Sequence, residues 1–381
     1  MTRGNPRLSS AAEPMRFAYW VPAVSTGYLA SRIEQRFGWD LDYNVELAEI
    51  AEAAGFEYGL TATRFVSTFL DEGQHEAVAL SQFILARTRR IKIISAVLTG
   101  LWHPAVMAKI GATSDVLSGG RFAINIVSGW DKAQFAAMGQ PWLDHDERYR
   151  RSEEFIEILK GCWTGEPFTH HGDHFQIDGF QMRPKPLQAP HPPIFQGGSS
   201  TAARRMAGRH SDWYLTNGGS PADIAPQIAE VQAHAAAADR TVRFGVNAFA
   251  IAHERREQAL ATYDEIIRLA DWDAVQRFAD ATREAGRNTS DGVGNWAKSS
   301  LADFVQGNDG FKTGLIGTPE HIARRIMALK QVGVGLILLG FLHFKEDIEF
   351  FGRRVIPLVR ALEGEQPLVE TEPPAPEQAK A

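Results

Sequence analysis

Eight short runs of β-favouring residues, separated by stretches of helical periodicity, constrain this chain more than any other feature. The runs fall at residues 16–21, 57–62, 92–98, 122–127, 193–196, 211–216, 243–252 and 335–340. Most lack strict apolar–polar alternation, as strands buried on both faces do. Between them, NVELAEIAEAAG at 44–55 sets Val45, Leu47, Ala48, Ile50 and Ala51 along one broad face and stops at a glycine. Residues 103–117, 146–163, 199–210, 221–238 and 319–332 behave similarly. Thr318-Pro319-Glu320 combines a cap, a proline at the first helical position and an acid in the first turn. Alternation of this kind predicts an α/β fold, a (β/α)8 TIM barrel with insertions, ahead of an open doubly wound sheet. The absence of Gly-x-Gly-x-x-Gly after the first run weakens the second architecture further.

A barrel gathers its chemistry at the carboxyl ends of its strands. RFAINIVSGW at 121–130 is the most informative such end: a β run that stops at Ser128-Gly129-Trp130, a hydroxyl, a glycine and a large aromatic. With 381 residues, 44% hydrophobic and 23% charged, the chain has ample material for a large core. A barrel takes about 250 residues, so roughly 130 remain for insertions and tails. A net charge of -6 gives no reason to expect nucleic acid. The single cysteine, Cys162, excludes an internal disulfide and reads as a small buried apolar residue. No window approaches the roughly 18 apolar residues of a membrane span, and the N-terminus lacks the apolar centre of a secretory signal. The expected setting is cytoplasmic, without membrane association.

Two stretches interrupt the repeat. Residues 164–192 carry prolines and a hairpin-like THHGDHFQIDGF, an excursion before the fifth strand. Residues 271–313 include the polar GRNTSDGVGNWAKSS and are expected to lie over the barrel mouth, mobile without ligand. One domain is expected over 15–363, preceded by a disordered segment 1–14 and followed by a flexible, proline-rich tail 364–381. His170, His171 and His174 cluster within the hairpin, but no His-Glu-x-x-His motif accompanies them, so no metal is expected.

Several segments, taken together and in order, carry a family resemblance. They are FAYWVP (17–22), RFAINIVSGW (121–130), DHDERYRRSEEF (144–155), FQGGSS (195–200), WYLTNG (213–218) and GFLHFKEDIEFFGRRVIP (340–357). Over residues 16–363 the chain resembles the bacterial luciferase-like flavin monooxygenases. FAYWVP, GNWAKSS (294–300) and NDGFKTGLIGTPE (308–320) point to its reduced-FMN-dependent dimethyl sulfone branch. The resemblance implies a TIM barrel that takes FMNH2 from a separate NAD(P)H-dependent flavin reductase and adds O2 to give a flavin peroxide. It implies cleavage of a C–S bond, taking dimethyl sulfone to methanesulfinate and formaldehyde, and a homodimer or homotetramer. Alternatives within the same superfamily are an alkanesulfonate or other organosulfur monooxygenase, a deazaflavin-dependent dehydrogenase and a non-catalytic flavin-binding barrel.

For the FMN phosphate, GGSS supplies close backbone approach at Gly197 and Gly198, the Ser199 hydroxyl and a helix N-terminus. The resemblance adds Arg148 and Tyr149 at the phosphate. It places Ala62, Thr63 and Asn125 at the flavin ring, with Ser128 at the ring or ribityl chain. Gln134 stands where pyrimidine-oxidising relatives have an acid. For substrate and oxygen the implied residues are Trp20, Arg64, Asn217, Asn247, Phe249, Phe341 and His343, the last able to move a proton near neutral pH. Alkanesulfonate relatives carry an arginine and a histidine where this chain has Asn247 and Phe249. Val24, Asn217 and Phe341 replace their histidine, tryptophan and tyrosine. Loss of a cation suits a small neutral sulfone better than an anionic sulfonate.

Overall fold

The computed structural model describes residues 13–67, 73–165, 167–287 and 299–364. Eight parallel strands close into a barrel: β1 (Arg16–Trp20), β2 (Tyr58–Thr61), β3 (Lys92–Leu98), β4 (Phe122–Val127), β5 (Ile194–Gly197), β6 (Trp213–Thr216), β7 (Arg243–Phe249) and β8 (Val334–Gly340). Closure pairs the first strand with the last, Ala18 opposite Leu338. The main helices following the strands in turn are α1 (Leu41–Ala54), α2 (Ala77–Arg87), α3 (Pro104–Ser118), α4 (His145–Thr164), α5 (Thr201–His210), α6 (Pro221–Ala237), α7 (Pro319–Gln331) and α8 (Phe344–Arg354). The expected (β/α)8 barrel is the observed fold, and the strand bounds fall within two residues of the sequence reading except at β7, which stops at Phe249, while Ile251–Ala252 pairs separately with Ile316–Gly317.

Helix starts follow local chemistry. Asp40 accepts from the Tyr43 N–H to open α1, and Ser220 with Asp223 forms a capping box at α6. Thr318 accepts from the His321 N–H, with Pro319 behind it at the first position of α7. The helix expected to start at Ser199 instead takes Ser200 as its cap, which accepts from Ala203 N. The last helical stretch breaks at Val355: α8 ends at Arg354, and a second helix, Ile356–Gly364, follows. Pro357 explains the break, since its ring clashes with the preceding turn and it has no N–H to donate.

The two-residue period of each strand divides the core. Ala18, Leu60, Ala123, Phe195, Leu215 and Leu338 fill the barrel interior. Their neighbours Phe17, Ile124, Tyr214, Val246 and Leu339 face the helices in a second, larger cluster. Cys162 is buried in that helix layer, where burial pushes its thiol up to about 11.

Both interruptions have structure. Phe168–His171 and Gln176–Phe180 pair as an antiparallel hairpin. Within 271–313, residues first read as polar loop contain the helix Trp272–Arg287, with Ala274, Val275 and Ala279 buried. The segment that resumes at residue 299 packs across the ends of β6 and β7. The stretch GRNTSDGVGNWAKSS lies largely outside the described residues, as do residues 1–12 and nearly all of the proposed tail. No helix among the described residues is long and apolar enough to cross a membrane.

Candidate active site at the barrel mouth

At the carboxyl ends of the strands lies a cavity of about 440 Å³, within the range of cofactor sites. Its floor is apolar, formed by Leu60, Ala96, Leu215 and Leu338. Trp20, Tyr28, Trp130, Phe278 and Phe304 add an aromatic wall. Among the described lining residues Arg64 is the one cation, and no aspartate, glutamate, histidine or lysine is present.

Strand parity decides which expected residues arrive there. Trp20, Asn125, Asn217 and Asn247 share the inward phase of their strands, with Ala18, Ala123, Leu215 and Gly245 respectively, and all four line the cavity. Ala62, Thr63, Arg64, Ser128, Tyr149 and Gly198 line it too. The Asn247 amide is held at both ends: Oδ1 accepts from Trp20 Nε1 at 2.6 Å, and Nδ2 donates to the Asn308 carbonyl at 2.9 Å. The insertion is therefore bonded directly into the wall. The Tyr149 hydroxyl stands 2.9 Å from where a Cβ on residue 198 would sit, so it marks the Gly197–Gly198 side of the cavity. Ser128 shares its hydroxyl with Ser152 at 2.8 Å, and Ser152 with Thr99 at 2.9 Å.

Six expected residues do not line the main cavity. Phe341 has the outward phase, and its ring packs on Phe56, Phe344 and Phe351 in the helix layer. Phe249 lies behind Tyr28, their rings stacked at 6.1 Å. His343 caps α8 three residues past β8; its Nδ1 accepts from Arg36 N at 3.2 Å, and its own N–H donates to Asp347. Burial and the nearby Arg36 lower its pKa, which disfavours the imidazolium there. Arg148 is buried, does not line the main cavity, and donates to the carbonyls of Gly129 and Leu143, which fixes the turn after β4. Gln134 accepts from Phe65 N at 2.6 Å and borders a side chamber of about 40 Å³ shared with Thr63 and Arg64. Ser199 precedes the α5 cap and is not among the lining residues.

Residues that sequence reasoning missed are Tyr28, Gln74, Gln306 and Asn308. All lie on connections, where no period marks an inward side. The hairpin histidines pair locally, His171 with Asp178 at 2.6 Å and His170 with Glu154 at 3.4 Å. No metal-holding group of three or more His, Cys, Asp or Glu occurs among the described residues.

The wall fits a flavin by a direct test. Asn125 Oδ1 and Thr63 Oγ1 are buried without a hydrogen-bond partner, and orphaned polar atoms of this kind are rare unless a ligand serves them. A flat ring with alternating carbonyls and N–H groups would satisfy both above an apolar floor. Asn125→Ala should therefore leave thermal stability within about 0.5 kcal/mol, because it removes an unsatisfied oxygen. The same change should weaken reduced-FMN binding about tenfold, the effect of one lost hydrogen bond. Anaerobic fluorescence titration beside a melting curve checks both, and unchanged flavin affinity would refute the assignment.

The comparisons agree with this geometry. The chain is 56% identical over 355 residues to an FMNH2-dependent dimethylsulfone monooxygenase of Pseudomonas putida, covering 93% of this chain and 98% of that protein. A protein of the same description from Pseudomonas fluorescens (strain Pf0-1) is also 56% identical, over 351 residues, with 92% and 96% covered. Among solved structures, a riboflavin lyase with modified FMN and riboflavin superposes with a TM-score of 0.81 at 21% identity, covering 92% of each chain, a likeness of fold. Residues 15–335 match the model of the luciferase-like monooxygenases, and the chain belongs to that family.

Proposed function

We infer that this protein is an FMNH2-dependent monooxygenase that cleaves the C–S bond of dimethyl sulfone. The observation that carries the reading is 56% identity, over nearly the whole chain, to proteins of that activity. The cavity supports it chemically. A wall with one arginine and otherwise neutral donors suits a neutral sulfone, whereas an anionic sulfonate would call for more positive charge. In the balanced reaction, dimethyl sulfone, O2 and FMNH2 give methanesulfinate, formaldehyde, water, FMN and a proton.

The bound flavin supplies the two electrons and the site of oxygen activation. Asn125 and Thr63 are the residues to hold its ring, and Gly198 and Tyr149 those to hold its phosphate. Ala62 and Ser128 complete that wall. Trp20 and Asn247, locked to each other, shape the substrate side with Asn217, and Arg64 provides a donor for a sulfonyl oxygen. The aromatic wall excludes water, which favours product over wasted reduced flavin. Residues 15–363 act as one catalytic domain, with 271–287 and 299–313 at the mouth. The reading further includes a separate NAD(P)H-dependent reductase, a cytoplasmic setting and a homodimer or homotetramer.

An aerobic assay with a flavin reductase, NADH and FMN, following formaldehyde and methanesulfinate, tests the function. Dimethyl sulfone is expected to turn over at least tenfold faster than methanesulfonate, given one lost or gained charge contact in the pocket. Equal rates on both would discard the neutral-pocket argument, and no product from the sulfone would discard the substrate.

A further inference from the structure

Tyr28 lies on the connection between β1 and α1, but packing and hydrogen bonds hold it in place. Its ring stacks on Phe249 at 6.1 Å and meets Phe344 edge-on at 5.9 Å. The N–H groups of Tyr28 and Leu29 both donate to Gln35 Oε1 at 2.9 Å. A Cβ on Gly340 would fall 2.2 Å from Tyr28 Cε1, so the ring needs a glycine at the end of β8. This is a preorganised group at the cavity wall, not a loose loop residue.

The hydroxyl is aimed as well as held. Gln306 Nε2 donates to the phenol oxygen at 3.3 Å. Gln306 is fixed in that sense, because its Oε1 already accepts from the N–H groups of Asn308 and Gly310. With the Gln306 amide donating to the oxygen, the hydroxyl hydrogen is available to an acceptor in the cavity that Tyr28 lines. Burial holds this phenol well above its ordinary value, so it acts as a donor and not as a base. The other titratable groups lining the described cavity are Arg64 and Tyr149, and Tyr149 belongs to the β5 side, opposite β1 in the ring of strands.

Resting on the sulfone reading above, we propose that Tyr28 is a catalytic hydrogen-bond donor to a sulfonyl oxygen. When the C–S bond breaks, its electron pair stays on sulfur and the product is a sulfinate. One oxygen atom of O2 leaves in formaldehyde and the other as water, with FMNH2 as reductant. Negative charge therefore builds on the sulfonyl oxygens as the reaction proceeds. A fixed O–H at that position binds the developing sulfinate better than the neutral sulfone, which is the differential binding that lowers a barrier. Gln306 positions the donor, so the insertion contributes to the reaction through Tyr28.

Tyr28→Phe keeps the ring and its packing and removes only the hydroxyl. Enzyme saturated with reduced FMN without oxygen is titrated calorimetrically with methanesulfinate and with dimethyl sulfone, and steady-state turnover is measured separately. Sulfinate affinity is expected to fall about tenfold and sulfone affinity less than about threefold, with kcat down by about ten- to a hundredfold and KM within about threefold. Unchanged sulfinate affinity, or wild-type kcat, overturns the role of Tyr28 and leaves the sulfone reading standing. A wild-type enzyme that makes no methanesulfinate, combined with lost sulfinate affinity in Tyr28→Phe, overturns the sulfone reading and keeps the donor. Incorporation of 3,5-difluorotyrosine at position 28 guards against a folding defect. It preserves shape and makes the phenol more acidic, so the high-pH loss of sulfinate binding should move to lower pH; an unmoved profile counts against the donor.

Discussion

Gly218→Ala is expected to lower turnover about a hundredfold, the penalty associated with displacing an active-site element by roughly 1 Å. A Cβ at 218 would lie 2.0 Å from the Asp309 carbonyl oxygen and 2.5 Å from its carbon. Both are backbone atoms, so no side chain can swing aside and the 306–310 turn must move. Three contacts depend on that turn. Gly218 N and Asn247 Nδ2 both donate to the Asn308 carbonyl at 2.9 Å. Gln306 bonds the Tyr28 hydroxyl. Asn247 in turn holds the Trp20 indole. One methyl group therefore loosens the Trp20–Asn247 and Tyr28 walls of the cavity together. The overpacking itself should cost about 1–3 kcal/mol of stability. Gly219→Ala is the control: its nearest contact would be the Asp223 Cβ at 3.3 Å, a side-chain atom, and a mild effect is expected. Comparable turnover in the two variants would show that the turn does not govern the site.

The second large effect concerns stability at the closed, amino-terminal end of the barrel. Glu363 accepts from Lys330 Nζ and from the Met15 N–H, each at 2.5 Å, and from Arg360 at 2.7 Å. It thereby ties the start of β1 to the last described helix and to α7. Both side chains of the Lys330 pair are about nine-tenths buried, at 9% and 10% exposure. Glu363→Ala should cost about 2–3 kcal/mol, the lower part of the effect of breaking a buried pair, because some solvent contact remains. Adding Lys330→Met should restore part of the loss by removing the stranded ammonium. Burial pushes the Glu363 carboxyl up, but the bonds from Lys330, Met15 and Arg360 outweigh it and hold the group below its ordinary range. A depressed carboxylate contributes stability above the ordinary value of about 4.3 and loses it as pH falls through the native value. Denaturation curves of wild type and variant should therefore separate at neutral pH and converge in acid. A constant gap across that range would rule out the ionic origin.

His343 and Tyr28 show how far local reading reaches. GFLHF put a histidine near the end of a strand, and histidines at barrel-strand ends are good candidates for chemistry. The strand stops at Gly340, however, and the ring is taken by the N–H of Arg36, 307 positions earlier in the chain. Tyr28 carried no signal at all, because the contacts that hold its ring and hydroxyl come from Gly340 and Gln306, each far away in sequence. Arg148 shows a related limit. A cation in a helix beside a phosphate-binding family motif reads as a ligand, and only the folded chain shows two of its nitrogens bonded to the Gly129 and Leu143 carbonyls.

By itself the sequence determined the strands, most of the helix starts and the closed barrel, because β-propensity, periodicity and caps act over only a few residues. It also set Trp20, Asn125, Asn217 and Asn247 on or just past their strands. Which side of a doubly buried strand faces the interior was not legible, since both faces are apolar and alternation vanishes. The tertiary structure decided that Asn247 points inward and Phe341 outward. It also decided the bonds that make the site: Trp20 to Asn247 across 227 positions, and Tyr28 to Gln306 across 278. Such contacts exist only when the ring of strands closes and brings the insertion onto its mouth.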